Sequence, residues 1–203
     1  FSSESPVVPD KAALAEAVTH VGYDKLEIDG DRVRLTDPAA GVDLGGVAKG
    51  YIADRLREYL VSQKVSGALI DLGGNVLAVG DKQGEAFRVG IRDPQDSAAL
   101  AATVAVRDRS VVTSGSYERG FTQDGVYYHH ILDPASGYPV NNGLAAVTIL
   151  SEQSVVGDML STTCFVLGEE EGLALVERTD GVEALFVRAD GTQVTSSGFA
   201  TVA

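Results

Sequence analysis

SGALIDLGGNVLAVG, residues 66–80, holds an apolar run, a glycine break and a second apolar run. So short a connection joins two strands by a tight reversal, and strands joined that way are antiparallel. The same pattern recurs outward from it. YDKLEID (23–29) and DRVRLTD (31–37) alternate about the turn Asp29-Gly30-Asp31, and EALFVRADGTQVTSS (183–197) reads as a terminal hairpin around Asp190-Gly191. EAFRVGIRDP (85–94), TVAVRD (103–108), SVVTSG (110–115), VYYHHILD (126–133) and AAVTIL (145–150) supply further β patterns.

Helices are fewer. KAALAEAVTH (11–20) has Asp10 placed as its cap. In YIADRLREYLVSQK (51–64), Ile52, Leu56, Tyr59 and Leu60 recur at helical spacing, with Arg55, Arg57 and Glu58 opposite. SVVGDMLSTTCFVLG (154–168) is the strongest helix of the second half, with a shorter one at EEEGLALVER (169–178). Strands outnumber helices and no linker divides the chain. The expectation is an α+β fold of largely antiparallel sheets with packed helices, and one domain over residues 1–203.

Composition narrows the function. The 203 residues carry 44% hydrophobic and 22% charged side chains, ordinary for a globular protein. A net charge of −13 argues against a nucleic-acid surface. An acidic protein can still hold a phosphorylated ligand through backbone amides or a divalent cation. Cys164, the single cysteine, sits in the apolar LSTTCFVLG and reads as a buried thiol, not a nucleophile. The chain opens on Phe1 with no leader pattern ahead of the domain, and is read as a processed or trimmed product.

Four strings carry chemistry. On a helix over 154–168, Asp158 and Thr162 lie one turn apart on one face, a carboxylate and a hydroxyl suited to magnesium or calcium and poor for zinc. Alone, the pair reads more readily as an exposed aspartate beside a threonine bonded back to the helix carbonyls. GVDLGGVAKG (41–50) leads glycines into a helix start, where amides can converge on an anion and Lys49 adds a charge. It matches neither a Walker loop nor a dinucleotide fingerprint, and a simple turn fits it as well. VVTSGSYERGF (111–121) places Thr113, Ser114 and Ser116 around Gly115 and supplies Arg119, suited to a ribityl or phosphate chain, or to an ordinary polar loop. In YHHILDPASGYPV (128–140) a shaped turn follows adjacent histidines, of which only one can face a given site; a turn beside a surface histidine is the plainer reading.

In their order, DLGGVAKGYIAD, IDLGGNVLAVG, FRVGIRDP, VVTSGSYERGF, YHHILDPASGYPV and GDMLSTTCFVLG resemble the FAD:protein FMN transferases, the ApbE-like family once labelled thiamine-biosynthesis lipoproteins. The resemblance implies a tunnelling-fold-like architecture, of which this chain would be the C-terminal two-thirds or so; an early methionine-glycine-threonine segment of the flavin pocket has no counterpart in it. It implies FAD as substrate, a magnesium ion, and transfer of FMN to a threonine hydroxyl of an acceptor protein with release of AMP. Metal ligands would be Asp158, Thr162 and the carbonyl of Ala48. His130 would be the functional histidine. Asp43, Lys49, Asp71, Gly73, Gly74, Asn75, Thr113, Ser114 and Gly115 would line the FAD cleft. The implied acceptors are subunits of membrane redox complexes such as sodium-pumping NADH:quinone reductase. The implied location is outside the cytoplasmic membrane, on a lipoprotein anchor not contained in this chain. Two other readings use the same residues: a magnesium-dependent FAD pyrophosphatase, and a non-catalytic FAD-binding or trafficking protein.

Overall fold

The structure is a computed structural model that describes residues 6–202. In chain order it runs α1 (Lys11–Thr19), β1 (Leu26–Asp29), β2 (Arg32–Leu35), α2 (Ala48–Ser62), β3 (Gly67–Asp71), β4 (Asn75–Gly80), β5 (Phe87–Arg92) and β6 (Leu100–Val106). It continues with β7 (Ser110–Gly115), β8 (Gly120–Gln123), β9 (Val126–His129), β10 (Leu144–Ser151), α3 (Ser154–Leu167), α4 (Glu169–Glu177), β11 (Glu183–Arg188) and β12 (Gln193–Thr195). The pairings between these strands are antiparallel, as the tight turns require. The fold is α+β.

Residue contacts divide the chain into two compact units, Phe1–Asp43 with Glu118–Asn141, and Leu44–Tyr117 with Asn142–Ala203. In the smaller unit, Asp10 caps α1 by accepting the N–H groups of Ala12 and Ala13 at 3.0 Å. Two hairpins follow, β1–β2 and β8–β9. The strand at β8 has no period-two signal in GFTQ. Its partner stops at His129, so ILD leaves the strand earlier than its apolar run suggests, and only Leu132 regains an isolated bridge, to Pro139. Gly137 of the following turn packs against Leu14 and Val18 of α1.

The larger unit is built on a six-stranded sheet in the order β12-β11-β10-β7-β4-β3. Its two faces can be told apart residue by residue, because side chains alternate along a strand. Ala78, Val111, Ala146, Leu150, Leu185 and Val187 pack with Val89, Ile91, Val104 and Val106 of the β5–β6 hairpin. The opposite face carries α3: a methyl group at Gly157 would meet Val112 Cγ2, Ser110 Oγ and Ser151 Oγ at 2.8–3.1 Å. Phe186, fully buried, lies under α4 at Gly172.

Helix α2 turns a different face inward than its apolar spacing predicts. Ile52, Leu56 and Tyr59 are exposed, while Gly50, Ala53 and Asp54 are buried. The reason is distance. A side chain at Gly50 would come within 2.4 Å of the Ser154 carbonyl oxygen and 2.6 Å of Val155 Cα, so α2 and α3 cross where only backbone fits. Gly50→Ala should force that crossing apart at a cost of about 1–3 kcal/mol, as overpacking does elsewhere, seen as a lower midpoint in urea with the helical circular dichroism retained.

Candidate active site

The crossing of α2 and α3 brings two helix starts together. Neither Val47 nor Gln153 caps its own helix with a side chain. Instead the buried carboxylate of Asp54, from α2, accepts the N–H groups of Ser154 and Val155, both at 2.9 Å. In return Asp158, from α3, accepts the N–H of Gly50 at 2.8 Å through Oδ2. Each carboxylate therefore meets free amides and the positive end of the other helix, where an anion is favoured. Arg57 donates to the Glu152 carbonyl at 2.8 Å and lies 3.8 Å from Asp54, adding a cation beside the first cap.

Among the described residues, Oδ1 of Asp158 accepts no hydrogen bond, although the side chain is 5% exposed. Thr162 stands one turn further along the same face, its hydroxyl 3.0 Å from Ser114 Oγ on β7. Ser114 also lies 2.8 Å from Ser161 Oγ. A carboxylate oxygen and a hydroxyl oxygen are hard donors that fit magnesium or calcium. Among the described residues no group of three His, Cys, Asp or Glu side chains could hold a metal. The donor set thus fits a cation that keeps much of its shell as water or phosphate.

The glycine turn borders the same place. Gly73 and Gly74 adopt φ of 70° and 84°, which a side chain would strain. Asp71 Oδ1 accepts the Gly73 N–H at 2.9 Å, and Lys49 Nζ donates to the Gly73 carbonyl at 2.7 Å. Asn75 is fully buried; its Oδ1 accepts from Ser154 Oγ at 2.7 Å, and its Nδ2 has no partner. The Thr113 side chain sits on the sheet face away from α3, bonded to Thr148 Oγ1 at 2.8 Å, whereas Ser114 faces α3. Gly115 is buried against Tyr117. One unit therefore gathers Ala48, Lys49, Asp71, Gly73, Gly74, Asn75, Ser114, Gly115, Asp158 and Thr162, with Thr113 on its far face.

The family model described as the ApbE family matches residues 1–186. The chain belongs to the ApbE family. It is 46% identical over 193 residues to an FAD:protein FMN transferase of Klebsiella pneumoniae, covering 94% of this chain and 60% of that protein. It is 40% identical over 208 residues to the FAD:protein FMN transferase of Treponema pallidum, covering 94% and 58%. The crystal structure of the ApbE protein of Thermotoga maritima superposes with a TM-score of 0.86 at 35% identity, covering 94% of this chain and 63% of that one. The chain thus spans about 60% of the length of the curated ApbE relatives it matches.

The other unit holds His130 and Asp43. Asp43 is exposed and lines a cavity of about 350 Å³ with His20, Tyr23 and Leu35. The two neighbouring histidines differ sharply. His129 is buried; Nε2 donates to the Val140 carbonyl at 2.9 Å and Nδ1 accepts the Ile131 N–H at 3.3 Å. His130 is half-buried, and its Nδ1 donates to the Arg119 carbonyl at 3.2 Å, which leaves Nε2 as the nitrogen bearing the lone pair. Burial pushes the His130 pKa below 6.5, and the hydrogen bond to Arg119 opposes the shift. In the turn after it, Asp133 accepts Ala135 N–H and Ser136 Oγ–H, which together hold its carboxyl below the usual range. Cys164 is fully buried and its thiol is pushed up to about 11, which removes it as a nucleophile near neutrality.

The clamp by Asp54 was not anticipated from the residues, since an aspartate inside a helix reads as solvated surface. Its only sequence signal is a carboxylate one turn beyond Gly50 on a small-residue face. Asp54→Ala should lower stability by about 2 kcal/mol in chemical denaturation, the worth of a charged cap with two buried amides.

Histidine titration separates two environments. Asp37, 2.7 Å away, raises the pKa of His20 above 6.5, while His130 is held below it. The His20 contribution to stability should be present below pH 6.5 and fade as pH rises through its raised value. His130 works oppositely: stability should fall as pH drops below 6.5, where the unfolded chain takes the proton more readily. Proton NMR of the ring signals should give His20 the higher and His130 the lower midpoint.

Proposed function

We propose that this chain carries the metal-binding and nucleotide-binding part of a magnesium-dependent FAD:protein FMN transferase, which moves FMN from FAD to a threonine hydroxyl of an acceptor protein and releases AMP. One observation carries the reading beyond family membership. Asp158 and Thr162 offer two hard oxygens on one helix face, the carboxylate oriented by the Gly50 amide. Magnesium, when bound, would draw charge from the pyrophosphate and from the departing phosphate oxygen.

The chain's own groups then have distinct tasks. Asp158 Oδ1 and Thr162 Oγ1 would hold the cation, with the Ala48 carbonyl at the start of α2 as a third donor. The glycine turn Gly73–Gly74 leaves backbone free for close approach by a nucleotide, and Lys49 fixes its shape from the Gly73 carbonyl. His130, with Nε2 unprotonated at neutral pH, is suited to taking the proton from an incoming hydroxyl. Phosphoryl transfer asks mainly for positioning and charge neutralisation, so so few groups are sufficient. The acceptors would be subunits of membrane redox complexes, sodium-pumping NADH:quinone reductase among them, met on the outer side of the cytoplasmic membrane.

The test is mass spectrometry of an acceptor peptide after incubation with the protein, FAD and magnesium. The peptide should gain one FMN, and AMP should appear in equal amount. FMN and AMP without an adduct would mean a pyrophosphatase; unchanged FAD across several acceptors would mean a binding protein. Asp158→Asn, which retains an acceptor for Gly50 but removes the charge, should cut magnesium-dependent turnover at least 100-fold, the scale of a lost metal ligand. His130→Ala should slow turnover more than His129→Ala does at equal folded fraction; the reverse order would reassign the base.

A further inference from the structure

The hydroxyl groups beneath the proposed cation ligands form a chain whose direction can be worked out. Ser161 Oγ lies 3.0 Å from the backbone carbonyl of Asp158. A carbonyl only accepts, so Ser161 spends its single proton there. Ser114 Oγ is 2.8 Å from Ser161 Oγ and must therefore be the donor of that pair. Its proton is now spent as well. Thr162 Oγ1, 3.0 Å from Ser114 Oγ, is left as the donor of the last link. The order is Thr162 to Ser114 to Ser161 to the Asp158 carbonyl; each hydroxyl gives one proton, and only Ser114 and Ser161 also take one.

This order sets what Thr162 shows to a ligand. Its proton points at Ser114, so its oxygen lone pairs are what remain for any other partner. Thr163, by contrast, turns back to the Met159 carbonyl at 2.9 Å and is a conventional helix threonine. Ser161 is fully buried, so water cannot stand in for its acceptor. We infer that Ser114 and Ser161 are positioning residues that fix the polarity of the Thr162 hydroxyl, making it a lone-pair donor to a divalent cation at Asp158. The inference rests on the cation reading of Asp158 and Thr162. Without Ser161 the proton of Ser114 is free to turn toward Thr162, and the threonine proton swings out to where the cation would bind.

Binding of Mn2+, followed by electron paramagnetic resonance, and of Mg2+, followed by calorimetry, tests this without any turnover. Ser161→Ala and Ser114→Ala should each weaken Mn2+ about 10-fold, the lower end for groups that orient a metal ligand. Ser114→Thr, which restores a hydroxyl, should bind as the parent does. In a Thr162→Val background, Ser161→Ala should cause no further loss, because the effect passes through the threonine oxygen. Parent-like affinity in both alanine variants, or an equal loss in the valine background, would overturn the inference. A role confined to packing would lower the melting temperature and leave the affinity unchanged. Failure of the cation reading looks different: Asp158→Asn would then bind Mn2+ as tightly as the parent, or the parent would bind none, and the inference would fall with it. Should Ser161→Ala not fold, the comparison of Ser114→Ala with Ser114→Thr decides alone.

Discussion

Two helix starts meeting at Gly50, each capped by a carboxylate from the other, is the constraint on which the rest of the larger unit depends. Free amides at a helix start must find acceptors when they are buried. Here neither helix supplies its own cap, so neither start is satisfied unless the two are together. Gly50 permits the approach, Asp54 closes one end and Asp158 the other. A buried carboxylate is costly when unpaired, but amide donors and helix dipoles offset that cost for both groups.

That arrangement has a consequence for chemistry. Asp158 is oriented by backbone, and backbone moves less than a flexible cationic side chain would. One of its oxygens is committed to Gly50 and the other is left without a protein donor among the described residues. A structural clamp thereby leaves one carboxylate oxygen open to a further partner. The same economy appears on β7, where successive residues divide between the two faces of the sheet. Thr113 ties β7 to β10 through Thr148, while Ser114 reaches α3. A slip of one residue in this strand would exchange the two and disconnect the hydroxyl chain.

The parts legible from sequence were those decided locally. Hairpins with glycine turns, and two oxygens four residues apart on a helix, need only short-range geometry, and both stand in the fold as read. The parts that were not legible depend on what a segment meets. In α2 hydropathy pointed to Ile52, Leu56 and Tyr59, yet the buried stripe is Gly50, Ala53 and Asp54. Close packing of helix on helix selects small side chains, and a capping carboxylate is selected for its oxygens; a hydrophobic count is blind to both. The strand Gly120–Gln123 likewise forms because Val126–His129 returns alongside it, not because GFTQ favours extension.

The histidine pair takes that distinction one step further. By composition His129 and His130 are equivalent, and alternation along a strand says only that they point apart. What separates them is how many ring nitrogens the surroundings consume. His129 has both engaged, one as donor to Val140 and one as acceptor from Ile131, which ties the ring into the following turn. His130 gives one nitrogen to Arg119 and keeps the other, and burial lowers its pKa from the ordinary imidazole value, further favouring the neutral ring. A base must have a free lone pair at working pH. The same scaffold that locks the first histidine into the turn leaves the second able to exchange a proton, and a single residue of register decides which is which.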